Sequence, residues 1–68
     1  MVETYKDHLI VASANLEEGT GEYISVASIS WKVDGKRQVH FLQSKERYDN
    51  ADSAMHFALA AAKNWIDG

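Results

Sequence analysis

The feature that most constrains the fold of this chain is a single helical pattern at its C-terminal end, from Asn50 to Asp67. When residues are placed at about 100° per step, the apolar ones fall in one broad arc with alanines at its middle. Asn50 can cap the first turn, because its side-chain oxygen can accept from free backbone amides. Gly68 follows the last turn, as is common just beyond a helix. One helix must therefore cover a sheet formed by everything that precedes it.

The rest of the chain has the pattern of β-strands joined by tight turns. The predicted strands are His8 to Leu16, which has a β-branched core, Glu22 to Val33, which is rich in Ile, Val, Tyr and Trp, and Lys36 to Ser44. Asp34-Gly35 suits a type I′ hairpin turn, and Glu17 to Gly21 contains two glycines for the other turn. This order predicts a single α+β domain over residues 1–68. It is a three-stranded antiparallel meander with one C-terminal helix packed across one face, a β-β-β-α arrangement.

The lengths of the two turns predict which side chains share a face of the sheet. A two-residue turn pairs Val33 with Lys36, and a five-residue turn pairs Leu16 with Glu22. Alternation along the strands then assigns two sets. The face predicted to pack on the helix carries Ile10, Ala12, Ala14, Leu16, Ile24, Val26, Val39 and Phe41. The opposite face carries Leu9, Val11, Tyr23, Ala27, Ile29, Trp31, Val33 and Leu42. A slip or a bulge in the first hairpin is the alternative, and it would mix the two sets.

Both faces of this sheet are apolar, whereas the chain has only one helix to cover them. An exposed apolar patch usually marks an interaction surface. The candidate interaction face consists of Leu9, Val11, Ile29, Trp31 and Leu42. A second copy of the chain is the simplest partner, because two-fold self-association is the commonest assembly. We therefore expect a homodimer, with an unidentified protein partner as the alternative.

The second hairpin carries a basic cluster that suggests a different function. It consists of Trp31, Lys32, Lys36 and Arg37. Cations can contact phosphates and an indole can stack on a base, and some plant-type DNA-binding domains have a similar strand-strand-strand-helix order. Against this, the net charge is −3, and lysines on edge strands also serve to prevent aggregation. Nucleic-acid binding is therefore the second hypothesis.

The residues that carry most enzyme chemistry are not arranged in any known motif. The chain has no cysteine, and its three histidines, His8, His40 and His56, show no metal-ligand spacing. It has no nucleophile elbow, glycine-rich phosphate loop or His-Glu-x-x-His helix. We expect no catalytic residue, no cofactor and no enzymatic activity.

The N-terminus does not resemble a signal peptide, and no segment is apolar enough to span a membrane, so we expect a cytoplasmic protein.

Two stretches resemble parts of short, mostly uncharacterised bacterial proteins. The first is Tyr5-Lys6-Asp7-His8-Leu9-Ile10-Val11-Ala12-Ser13-Ala14, and the second runs from Arg47 to Ala54 and closes with Ala62-Lys63-Asn64-Trp65-Ile66-Asp67. In these proteins a tyrosine-led strand opens the chain and an alanine-rich helix closes it. The pattern also has a distant similarity to a small family labelled as haemolysin transcriptional activators. The resemblance implies the fold and a bacterial cytosolic setting, and it assigns no catalytic or binding residue.

Overall fold

A computed structural model describes the whole chain, Met1–Gly68, as an antiparallel sheet with one helix. The strands lie in the order β1-β2-β3-β4. The elements are β1 (Val2–Tyr5), β2 (His8–Leu16), β3 (Tyr23–Val33), β4 (Lys36–Gln43) and α1 (Ala51–Asp67). The α+β class, the meander and the C-terminal helix are thus confirmed. The predicted number of strands is wrong, because there are four rather than three.

The additional strand, β1, forms a hairpin with β2 through a turn without glycine. Lys6 and Asp7 both have left-handed backbone angles, with φ of 47° and 62°, which non-glycine residues seldom adopt. The end of the helix contacts this turn, because the Tyr5 hydroxyl donates to the Asp67 carboxylate at 2.9 Å and Lys6 forms an ion pair with the same group. The turn therefore depends on a tertiary contact that no local signal indicates.

The hairpin between β3 and β4, the second of the two predicted hairpins, forms as its sequence predicts. Asp34 and Gly35 have φ of 51° and 77°, as a type I′ turn requires. Val33 pairs with Lys36 across it, and the same register extends to Val26 and Gln43. The relative positions of β3 and β4 were therefore correctly predicted.

The hairpin between β2 and β3, the first of the two predicted hairpins, has a different register from the predicted one. Leu16 pairs with Tyr23, so the loop has one more residue than expected and Glu22 belongs to it. The Glu17 amide donates to the Glu22 carbonyl at 2.8 Å, and the Glu22 amide donates to the Thr20 hydroxyl at 3.2 Å. Side chains alternate between the two faces along a strand. The shift by one residue therefore moves each side chain of β3 and β4 to the face opposite the predicted one, when the side chains of β2 are taken as the reference.

The core lies between α1 and the central strands β2 and β3. Ala54, Ala58 and Ala62 form one buried stripe along the helix, and these small side chains allow the helix to approach the sheet closely. The fully buried sheet residues beneath them are Ile10, Ala12, Ala27 and Ile29. Tyr5, Trp31, Leu42, Leu59 and Ile66 pack around this cluster.

The ends of the helix are as predicted. The Asn50 side chain accepts a hydrogen bond from the Ser53 amide at 2.8 Å, which satisfies a free donor of the first turn. The Gly68 amide donates to the Trp65 carbonyl at 3.3 Å. These local contacts set the helix boundaries independently of the sheet register.

The molecule is thin and elongated. Its extents are 44 × 19 × 17 Å and its radius of gyration is 12.6 Å, compared with about 11 Å for a typical domain of this length. Only 8 of the 68 residues are buried. A single helix on a four-stranded sheet thus leaves much of the sheet uncovered.

Candidate interaction surface

The sheet surface opposite α1, called the outer face below, is apolar and exposed. Its apolar residues are Val2, Leu9, Val11, Ile24, Val26, Val39 and Phe41. Phe41 is 70% exposed and Val2 is 64% exposed. A row of directly paired residues, Val2, Val11, Ser28 and Phe41, crosses all four strands. Large apolar side chains in such a continuous row form a patch rather than scattered exposures.

The polar residues of the outer face are mostly small. Ser13, Ser28 and Ser30 lie between the apolar side chains and are half-buried. The strand positions on this face include no acidic residue, and their two charges, Lys32 and Arg37, lie together at one end. The middle of the face is therefore uncharged, as the centre of a protein interface usually is.

The candidate face predicted from the sequence is divided between the two sides of the sheet. Leu9 and Val11 do lie on the outer face, but Ile29, Trp31 and Leu42 face the helix, and Ile29 is fully buried. Conversely, four residues predicted to pack on the helix lie on the outer face. They are Ile24, Val26, Val39 and Phe41. The cause is the one-residue register difference in the hairpin between β2 and β3.

The predicted basic cluster is divided in the same way. Lys32 and Arg37 lie directly opposite each other on the outer face, whereas Lys36 pairs with Val33 on the helix side. Trp31 also faces the helix, although it lines the rim of a shallow depression of about 620 Å³. That depression is lined by Thr4, Asp7, His8, Leu9, Ser30, Trp31, Lys32 and Arg37. Lys36 is therefore separated from the other two cations.

Most of the remaining cations are neutralised by ion pairs that brace the fold. Lys63 pairs with Glu3, and Lys6 pairs with Asp67, so both join the β1 hairpin to α1. The hydrogen bond to Asp67 raises the pKa of Lys6, and the bonds from Lys6 and Tyr5 lower the pKa of Asp67. Lys32 and Arg37 have no such partner. Their positive charge is thus free to attract an anion.

Four aromatic rings, three from the sheet and one from the last turns of α1, form a row. The ring of Trp31 lies 5.2 Å from that of His8 and 5.5 Å from that of Trp65. Trp65 stacks on His40, with the centroids 4.3 Å apart and the planes within 10°. Histidines that the sequence leaves without partners are therefore packed against indoles. This row explains why Trp31 is not a free stacking platform.

A second concave surface lies between α1 and β4, because the helix sits mainly over β2 and β3. It has a volume of about 230 Å³ and is mostly apolar. Its lining residues are Ser25, Ala27, Leu42, Gln43, Ser44, Phe57, Ala58, Ala61 and Trp65. The sequence does not predict this groove, because the spacing of apolar residues along a helix does not indicate over which strands the helix lies. β4 is consequently uncovered on one face and only partly covered on the other.

Outside the groove lining, the Tyr48 hydroxyl is buried and makes no hydrogen bond. Burial, followed by the nearby Glu46, raises the pKa of this hydroxyl. The Tyr48 ring packs on Phe57 with the centroids 5.3 Å apart, and the Tyr48 backbone pairs with that of Tyr23. Tyr48 therefore holds the connection between β4 and α1 against the edge of β3.

Two further features concern metal binding and membrane crossing. No group of three or more histidine, aspartate or glutamate side chains is placed to hold a metal ion. None of the helical structure is long and apolar enough to cross a membrane.

Comparisons with protein-family models, with curated proteins and with solved structures found no match to this chain. The resemblance to small bacterial proteins and to the haemolysin transcriptional activator family therefore stays a prediction.

Proposed function

We propose that this protein is a small, non-enzymatic interaction module that self-associates through the outer face of its sheet. The observation that carries the proposal is the apolar row that crosses all four strands opposite α1, ending in the highly exposed Phe41. Side chains in this row gain about 25 cal/mol for each Å² of apolar surface removed from water. A second copy supplies a surface of the same shape and polarity.

The size of the outer face is compatible with a two-fold contact. The four strands have 4, 9, 11 and 8 residues, and at about 3.3 Å per residue and about 4.8 Å between strands they form a face of roughly 500 Å². Two such faces would bury about 1,000 Å² together, which equals the roughly 1,000 Å² expected of a specific interface. The face is therefore large enough for a dimer, although a weak one.

A matched pair of substitutions tests the outer face. Val11 on the outer face is 40% exposed and Val33 on the helix side is 48% exposed, so Val11→Lys and Val33→Lys make the same change at similar exposure. Sedimentation velocity at micromolar concentration should show self-association for the wild type and for Val33→Lys, and a smaller species for Val11→Lys, which lacks the outer-face contact. A wild-type protein that is monomeric up to about 100 μM would contradict the proposal.

Nucleic-acid binding is the second candidate function, and the Lys32–Arg37 pair favours it. These like charges lie directly opposite each other without a carboxylate partner, an arrangement that costs stability unless an anion binds there. Two phosphate contacts are few, so we expect weak binding that does not depend on base sequence.

Fluorescence anisotropy with a labelled single-stranded oligonucleotide in low salt tests this second function. The double variant Lys32→Gln/Arg37→Gln should bind more weakly, and its slope of log K against log salt should be shallower by about 1.4, because each phosphate contact on a single strand contributes about 0.7. Lys45→Gln is the control, because Lys45 is exposed and unpaired but lies away from the pair. Absence of wild-type binding at about 10⁻⁴ M would remove this function.

A further inference from the structure

The outer edge of β4 carries a row of backbone groups without partners. β4 is the last strand of the sheet, and Ser44 donates to the Ser25 carbonyl at 2.9 Å. In an antiparallel pair, alternate residues direct their N–H and C=O groups away from the partner strand. Counting from Ser44 and from the turn at Asp34-Gly35, the outward-directed residues are Arg37, Val39, Phe41 and Gln43. We call this row the free edge of β4.

The free edge lacks the features that usually prevent strands from pairing between molecules. β4 has eight residues, no proline and no interruption of its register, and its two charges, Lys36 and Arg37, lie at one end. The opposite edge of the sheet, β1, has only four residues, and short edge strands pair poorly. Of the two edges, β4 is therefore the one suited to pairing.

We propose that two copies of this chain pair through their β4 strands, antiparallel and about a two-fold axis at His40, to form one continuous eight-stranded sheet. The inference rests on the proposed self-association but uses a different surface. Outer-face packing buries side chains, whereas this contact joins the backbone edge of β4. Both contacts can therefore exist in one assembly.

The register follows from the positions of the outward-directed groups. Two-fold pairing centred on His40 places Arg37 opposite Gln43 of the second copy, and Val39 opposite Phe41 of the second copy. Each of these pairs can exchange two hydrogen bonds. A centre at Val39 leaves Gln43 without a partner residue in β4, and a centre at Phe41 leaves Arg37 opposite Lys45 of the second copy. Only the His40 register uses the whole free edge and avoids this like-charge pair.

The side chains agree with this register. Phe41, the most exposed of the large apolar residues, would lie beside Val39 of the second copy, and aromatic and β-branched residues form favourable cross-strand pairs. The basic residues at position 37 of the two copies would lie at opposite ends of the interface. Because the contact is the same on both sides of the axis, the edge contact by itself joins only two copies.

Single-cysteine variants test this register, because the chain has no cysteine of its own. Residues on the axis form a pair without hydrogen bonds, about 4.5 Å apart between Cα atoms, which is within the range for a disulfide. His40→Cys should therefore give a covalent dimer under mild oxidation. Gln38→Cys is the matched control on the same strand and face, because two such residues would lie about 13 Å apart along the strand.

A third variant separates the failure of this inference from the failure of the proposed function. Ser28→Cys lies at the centre of the outer face, and a bismaleimide linker of about 10 Å should cross-link it if two outer faces pack together, because packed sheets lie about 10 Å apart. Cross-linking of Ser28→Cys without His40→Cys would overturn the edge contact and leave outer-face association standing. Cross-linking of neither variant, with a monomeric wild type, would overturn both.

Val39→Pro tests the backbone contact itself. Proline removes the N–H at a position directed away from β3, so the internal ladder keeps its hydrogen bonds. Far-UV circular dichroism should show the native fold, while the dissociation constant of the β4-linked species should rise at least about tenfold, since each interface loses two hydrogen bonds. An unchanged dissociation constant in a folded Val39→Pro protein would overturn the edge pairing.

Discussion

Ser25 is the only buried polar residue of the core, and it joins three parts of the fold. Its hydroxyl donates to the Ala54 carbonyl in the first turns of α1 at 2.6 Å. Its amide donates to the Ser44 hydroxyl at 3.0 Å, and its carbonyl accepts from the Ser44 amide at 2.9 Å. One residue thereby positions the start of the helix relative to β3 and to the end of β4.

We expect Ser25→Ala to lower the free energy of unfolding by about 1–2 kcal/mol, because a buried hydrogen bond to the helix is lost. Ser28→Ala is the control: it also removes a serine hydroxyl from β3, but on the outer face, and it should change stability by less than about 0.5 kcal/mol. Urea denaturation of both variants measures the difference. Equal effects would show that the Ser25 hydroxyl bond does not stabilise the fold.

Asp67 lies at the C-terminal end of α1, where the helix dipole disfavours negative charge and where the last turn has no basic residue. Lys6 and Tyr5 compensate by binding its carboxylate, and they lower its pKa below the ordinary value of 3.8. The stabilisation is therefore present above that value and is lost as the pH falls through the folded-state pKa. The raised pKa of Lys6 extends the pair to pH above 10.5, and the stabilisation disappears as the pH rises through that pKa.

Asp67→Asn should consequently be less stable than the wild type at neutral pH, and the difference should shrink below about pH 4. Glu18→Gln is the control, because Glu18 is exposed in the loop between β2 and β3 and forms no ion pair. Thermal unfolding between pH 2.5 and 7 gives both curves. A constant difference over that range would mean that the carboxylate charge is not what holds the β1 turn.

At the scale of elements, the buried alanine stripe of α1 determines how closely the helix lies on the sheet. Ala58 packs directly on the central cluster, whereas Ala60 is exposed on the opposite side of the helix. Because the interior is closely packed, a larger side chain at the first position must displace the helix.

We expect Ala58→Leu to destabilise the protein by about 1–3 kcal/mol through overpacking. Ala60→Leu adds the same atoms in solvent and should stay within about 0.5 kcal/mol of the wild type. Chemical denaturation distinguishes the two variants. Similar stabilities would indicate that α1 can shift towards β4 and fill the groove described above.

At the scale of the whole molecule, the chain has more sheet than one helix can cover. Its accessible surface is 4613 Å², compared with roughly 4,300 Å² for a typical monomer of this mass. Both the outer face and the free edge of β4 contribute to this excess. A small domain with so few buried residues gains much of its stability when such surfaces are covered.

If the folded protein self-associates, its melting temperature depends on concentration, because only the folded state forms the dimer. A tenfold increase in wild-type concentration should raise Tm by about 3–6 °C. Val11→Lys should show a smaller rise or none, and Val33→Lys should behave like the wild type. Differential scanning calorimetry at two concentrations measures this dependence, and a concentration-independent wild-type Tm would argue for a monomer.

The sequence by itself determined the features that depend on neighbouring residues. Asn50 caps the helix, alanines form its buried stripe, and Asp34-Gly35 sets the second hairpin, because each signal acts within a few residues. It also indicated correctly that apolar side chains would remain on a face that the helix does not cover.

Only the tertiary structure decided which side chains those are. The turn at Lys6 forms with help from Asp67, 61 residues away, so β1 has no local signature. The first loop contains one residue more than predicted, and with a side-chain period of two, that single residue exchanges the faces of β3 and β4 relative to β2. Turn length is weakly specified by local sequence, whereas burial of Ile10 and Ile29 on the same face specifies it strongly. The partner surface, unlike the helix, is therefore a property of the assembled sheet.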